Sequence, residues 1–162
     1  MEFQELLQQR RSVRKYLDKE VPMDIIHELI KEVTFAPSAG NAQPWNFIIV
    51  NNKEMLQRMS DESKKNILNR INSNPGDYAE KYRKMLEKES FNVFYNAPCL
   101  IIILGKADYK NLYLDCTLAA SYLMMASLSR CMYLLPLRSV RSAMLRACTL
   151  GLGLARSSTL LV

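Results

Sequence analysis

The chain has 162 residues, 49% of them hydrophobic, and a formal net charge of +6. This suits one domain with a real core and sets disorder aside; no uncharged apolar stretch of about 18 residues could span a bilayer, and the first nine residues lack the basic and apolar regions of a signal peptide, so a cytoplasmic protein is expected. Cys99, Cys116, Cys131 and Cys148 show no CxxC spacing and His27 is the sole histidine, which argues against a zinc site or a disulfide scaffold.

In chain order, Phe3, Leu6 and Leu7 form a short apolar helical face, followed by the basic run Arg10-Arg-Ser-Val-Arg-Lys15. After Val21-Pro22, where proline suits a helix start, Ile25, Ile26, Leu29, Ile30 and Val33 recur at three- and four-residue spacing and predict a helix to about Phe35 with one buried stripe. His27 lies among Glu28, Lys31 and Glu32 and is read as an exposed helical residue, not a catalytic base. The segment Pro37-Ser-Ala-Gly-Asn-Ala-Gln-Pro-Trp45 is a polar, turn-rich loop: two prolines restrict it, Gly40 permits unusual dihedrals, and Ser38, Asn41 and Gln43 offer hydrogen-bonding groups. Gln43 is expected to stabilise the loop and Trp45 to pack under it. Asn46–Val50 reads as a strand, and Asn51-Asn52 as a turn into a polar helix over about 53–71 with Leu56, Met59, Ile67, Leu68 and Ile71 inward.

Asn72-Ser-Asn-Pro-Gly-Asp77 breaks that helix. Tyr78, Tyr82, Met85 and Leu86 then predict a surface helix. Cys99-Leu-Ile-Ile-Ile-Leu-Gly105 is an uninterrupted apolar run, expected to be a central strand covered on both sides. From about Leu112 to Ser129 a core helix is predicted, with Leu118, Tyr122 and Met125 at helical spacing and Ala119, Ala120 and Ala126 allowing a neighbouring helix to approach. The methionines at 124, 125, 132 and 144 are read as packing residues. With no internal repeat or linker, a single α+β layer structure is the simplest architecture.

Charge divides the chain. Every one of the 16 acidic residues lies at or before Asp115, and residues 1–115 carry only +1. Residues 116–162 contain Arg130, Arg138, Arg141, Arg146 and Arg156 but no lysine, aspartate or glutamate. A folded surface usually mixes both signs.

Two motifs, Arg10-Arg-Ser-Val-Arg-Lys-Tyr16 and Pro37 to Trp45, together resemble the amino-terminal signatures of the FMN-dependent nitroreductase family. Ala97-Pro-Cys-Leu-Ile-Ile-Ile-Leu-Gly105 and Leu114-Asp-Cys-Thr-Leu-Ala-Ala120 are similar to that family's buried strand and core helix. The resemblance covers residues 1 to about 130. It implies a nitroreductase-like α+β fold with a central, mostly antiparallel sheet flanked by helices, and a C-terminal part that is incomplete or divergent.

It also implies a homodimer with FMN at the interface. Arg10, Arg11 and Arg14 would bind the phosphate, whose roughly two negative charges suit guanidinium forks, with Ser12 adding its hydroxyl and backbone N–H. Pro37, Ser38, Ala39 and Asn41 would reach the FMN held by the partner. The family implies NADH or NADPH as donor, a nitroaromatic, quinone or similar small molecule as acceptor, ping-pong transfer through the flavin N5, and no catalytic side chain or metal.

After the core helix, family members usually continue with a glycine-rich turn that is not recognisable here. Residues 131–162 are therefore expected to be an atypical tail, not an independent domain, arising from a shifted reading frame or a replaced terminus. Because the family uses that region to complete the flavin site, the alternative reading is a flavin-binding protein with little or no turnover. Leu137, Val140, Met144 and Leu145 with Arg138, Arg141 and Arg146 would fit a short basic amphipathic helix, but a packed or disordered terminus is the preferred reading, with neither nucleic acid nor membrane as partner.

Overall fold

A computed structural model of the chain describes residues 2–106 and 108–134, together with the backbone of residues 157–161. Its elements are α1 (Phe3–Gln9), α2 (Met23–Val33), β1 (Trp45–Val50), α3 (Lys53–Ser73), α4 (Arg83–Leu86), β2 (Leu100–Lys106), α5 (Leu112–Ser129) and β3 (Ser157–Leu161). The strands form one antiparallel sheet in the order β1-β2-β3, with Trp45 opposite Gly105 and Val50 opposite Leu100. The expected α+β architecture is thus present, and the apolar run at 99–105 supplies all but the last residue of its central strand, β2.

β2 shows why that run carries no polar residue. Side chains alternate across a strand, and here both faces are covered. Leu100 and Ile102 join Leu56, Met59, Ile67 and Ile71 of α3 in one core, whereas Ile101 and Ile103 join α2 and α5 in another. α2 presents Ile26, Leu29 and Val33 to that second core as its spacing predicts, while His27 is exposed. α3 begins where Asn52 accepts the Met55 N–H at 2.8 Å, and its inner face also admits Ser60, whose hydroxyl accepts the Val93 N–H at 3.0 Å.

Two expectations change. The stretch after Asp77 is not one helix but a 3-10 segment, Tyr78–Tyr82, followed by the single turn of α4. Asp77 accepts the Ala79 N–H at 2.8 Å and tightens the start, so Tyr78 and Tyr82 are left exposed while Ala79 and Leu86 are buried. In α5 the inward face is Cys116, Ala119, Ala120 and Leu123; Leu118 and Tyr122 point outward at 40% and 42% exposure. A helix apolar on all sides gives periodicity no means of choosing a face. Packing chooses: the small Ala119 and Ala120 let α2 approach closely, and the bulky residues are displaced to the far side.

α5 ends in a Schellman motif. The Cys131 N–H donates to Leu128 O at 2.8 Å and the Met132 N–H to Ser127 O at 2.9 Å, with Cys131 at φ 57°. Arg130 then pins the helix end to α2, donating to both carboxylate oxygens of Glu32 at 2.8 and 2.6 Å. This bond first, and the Arg130 charge second, hold the Glu32 carboxyl below its ordinary value against the opposing effect of desolvation. Met124 and Met132 pack against the second core. The features expected at residues 137–146 and at Cys148 lie outside the described residues. Among the described residues, no helix is long and apolar enough to cross a membrane.

Gly105 marks the tightest junction. A Cβ there would run into the Pro44 carbonyl and the Leu112 side chain, so Gly105→Ala should destabilise the protein by about 1–3 kcal/mol, read as a lower midpoint in urea. The thiols give a second test. Burial pushes Cys99 from an ordinary 9.0 up to about 11, and burial followed by the neighbouring Asp115 charge does the same to Cys116. Both hold their protons more tightly when folded, so their stabilisation is complete below pH 9.0 and is lost as pH rises towards about 11. Denaturant midpoints should fall across that window, less steeply in a Cys99→Ala/Cys116→Ala variant, and a thiol reagent at neutral pH should modify the exposed Cys131 before either.

Candidate functional site

The basic motif follows α1 as chain outside any helix or strand. Arg11 turns back onto that helix, donating from Nη1 to Gln8 O at 2.6 Å and Arg10 O at 2.9 Å; it caps the orphan carbonyls of the helix end. Arg10 is half-buried, while Ser12 and Arg14 are exposed. Arg14 lies over the Tyr95 ring, 5.9 Å from its centroid, and contacts Ser12 O at 3.4 Å. Tyr95 is braced edge-on by Phe91, with ring centroids 5.8 Å apart, and both Tyr95 and Asn96 have φ 56°. Two adjacent non-glycine residues in the left-handed region are costly and point to a shape held by its surroundings.

The loop before β1 is built from equally unusual backbone. A 3-10 turn covers Ala39–Asn41, and Gly40, Asn41 and Gln43 have φ 58°, 54° and 44°. Ser38 Oγ accepts the Gln43 N–H at 2.9 Å, and Gln43 Nε2 donates to Thr34 O at 2.8 Å. Gln43 thus holds the loop together and Trp45, 7% exposed, packs in the core beneath it, as expected of both. Asn41 is exposed, and the space where a Gly40 side chain would stand is open.

Two residues missed in the sequence tie this loop to the core. The Ala39 N–H lies 3.3 Å from each carboxylate oxygen of Asp115, a residue only 4% exposed. The Tyr109 hydroxyl lies 3.1 Å from Asp115 Oδ2 and 3.2 Å from Ala39 O. Desolvation first, then the bond to Asp115 and its charge, raise the Tyr109 phenol above its ordinary value. A signal for Asp115 existed: it is the sole charged residue in the otherwise uncharged helix at 112–129. Nothing comparable marked Tyr109.

The structure does not bring the two motifs together within one chain. Val13 and Lys15 line a groove of about 660 Å³ with Phe94, Cys99 and Leu100, at the start of β2. The Pro37–Pro44 loop meets β2 at its other end, where Trp45 pairs with Gly105 and the Pro44 carbonyl abuts Gly105. Five residues of strand separate those ends, roughly 17 Å at 3.4 Å per residue. Arg14 and the loop therefore lie near opposite ends of one strand.

The Nitroreductase family profile matches residues 7–153, and the chain belongs to that family. The match passes the expected boundary at residue 130. A protein of Archaeoglobus fulgidus, named for NADH dehydrogenase or NAD(P)H nitroreductase activity, is 48% identical over 52 residues, 32% of this chain and 30% of its own length. Iodotyrosine deiodinase 1 of Sus scrofa is 37% identical over 106 residues, 63% of this chain and 36% of its own. The chain thus spans about a third of the curated relatives it matches. Among solved structures, a Bacteroides fragilis nitroreductase with bound FMN superposes with a TM-score of 0.77 at 22% identity, covering 98% of this chain and 86% of that one. A BluB-like flavoprotein from Clostridium difficile gives 0.76 at 20% identity, covering 100% and 87%. These likenesses define a nitroreductase-like fold.

Proposed function

We propose that the protein is an FMN-dependent oxidoreductase that uses NADH or NADPH to reduce nitroaromatic, quinone or related small acceptors, working as a cytoplasmic homodimer with FMN between the subunits. The observation that carries this reading is the separation of the two half-sites. One copy offers Arg14 and Ser12 at one end of β2 and the loop with Ser38, Ala39 and Asn41 at the other, so two copies are needed to surround one ligand. A surface that would suit the second copy is the outer side of α5, where Tyr113, Leu114, Leu118 and Tyr122 are 40–65% exposed, an apolar patch of the kind found at interfaces.

The donors fit the cofactor. Exposed Arg14, set on a braced aromatic, suits a phosphate dianion, and Ser12 adds a hydroxyl beside it. Arg10 belongs to the same proposed phosphate set; Arg11, folded onto α1, would contribute its charge. Pro37 shapes the loop whose Ser38, Ala39 and Asn41 would meet the partner's ribityl chain and flavin edge. Bound FMN supplies two-electron transfer from the nicotinamide to the acceptor. The chain's part is to bind and orient.

A second reading of the acceptor rests on the 37% identity with iodotyrosine deiodinase 1: a halogenated phenol in place of a nitro compound. Binding without turnover is the alternative if the region after residue 130 fails to complete the site. The division there remains our proposal, supported by the absence of acids and lysines from residues 116–162. An intact reading frame in the source gene, with no alternative frame encoding a glycine-rich turn, would defeat its frameshift version.

Purified protein should be yellow, with a solution mass twice the 18.7 kDa chain, and should oxidise NADH or NADPH only when an acceptor is added. Arg14→Ala should weaken FMN binding about 10-fold or more. Parallel assays with a nitroaromatic and with 3-iodotyrosine separate the acceptors; flavin uptake without oxidation selects the binding-only alternative. A colourless monomer that takes up no added FMN ends the proposal.

A further inference from the structure

We propose that Asp115 is the positioning residue of the cofactor loop: its carboxylate, oriented by Tyr109, fixes the Ala39 backbone in the geometry that receives FMN. This rests on the FMN reading above and assigns a role to a residue that the sequence motifs left without one.

A buried carboxylate is costly unless its oxygens are hydrogen-bonded. Among the described residues Asp115 is the one buried acid, at 4% exposure. Its partners include a backbone amide 76 residues earlier in the chain and a phenol six residues before it. Charged acceptors make the stronger hydrogen bonds, and this one acts on the loop. The Ala39 peptide groups are engaged at both ends, its N–H facing Asp115 and its carbonyl facing the Tyr109 hydroxyl.

The loop needs such an anchor. Gly40, Asn41 and Gln43 all occupy the left-handed region, where non-glycine residues relax unless their surroundings hold them. The Ser38–Gln43 bond closes the loop on itself, and the Gln43–Thr34 bond ties it to the end of α2. Ala39 is the point where the turn meets α5. Asp115 lies one turn into that helix, in the same region of α5 whose outer residues, Leu114 and Leu118, form the surface proposed to meet the second copy. A rigid helix therefore places the loop relative to the partner's phosphate half-site.

The test uses the full chain with D115A, D115N and Y109F. FMN titrations are read by flavin fluorescence, and amide exchange is followed across the loop and the sheet. D115A should weaken FMN binding about 10–100-fold, the loss expected for a hydrogen bond to a charged group, and speed exchange at Ala39–Gln43 while β1 and β2 keep their protection. D115N keeps an oxygen for the Ala39 N–H and should recover part of both effects. Wild-type affinity and wild-type loop exchange in D115A overturn the proposal. So does faster exchange throughout β1, β2 and α5, which makes Asp115 a general stabiliser. If D115A does not fold, Y109F, which removes one hydroxyl, is judged by the same two readings. A wild-type chain that binds no FMN defeats the cofactor reading, whereas the exchange data in D115A still decide whether Asp115 seats the loop.

Discussion

The burial of β2 on both faces is the constraint from which the rest of the structure follows. Ile102 and Ile103 are consecutive, 1% and 0% exposed, yet belong to different cores. One strand therefore fixes α3 and α4 on one side and α2 and α5 on the other. At about 25 cal/mol per Å² of apolar surface removed from water, neither helical layer has a comparable place to bury its stripe. The segment with Val13 and Lys15 lies at the start of β2, and the Pro37–Pro44 loop meets its other end.

Much of this was legible because particular residues admit few alternatives. Ile26, Leu29 and Val33 can share a core only on a helix, and seven residues without a polar side chain at 99–105 read as a strand hidden on both faces. Pro22, Asn52 and Pro75-Gly76 punctuated the helices where backbone chemistry demands it. The loop at 37–45 was recognisable from its turn residues, and its internal support by Gln43 and Trp45 from their size and polarity.

What escaped had physical reasons as well. α5 is apolar all round, so its inward face depended on which side chains were small enough for α2 to approach, a property of the pair and not of either sequence. The 3-10 turn after Asp77 arose from a local side-chain bond competing with helix propagation. Asp115 and Tyr109 are 70 or more residues from the loop they hold, so no local pattern connects them to it. The hydrogen bonds of Arg11 to Gln8 O and Arg10 O follow from the unfilled carbonyls at the end of α1, which the run of basic residues does not reveal.

The stop at the end of α5 has a bearing on how sequence change is tolerated after residue 130. A Schellman turn needs one residue at positive φ, a position glycine fills without strain. Here Cys131 takes it at φ 57°, with both closing hydrogen bonds in place and Arg130 locked to Glu32 just before it. The requirement is therefore met by backbone geometry, with the side chain as a tolerated passenger costing on the order of 1 kcal/mol. The chain leaves its core through backbone hydrogen bonds that any residue able to hold a positive φ can make, so the position after Arg130 is not reserved for glycine.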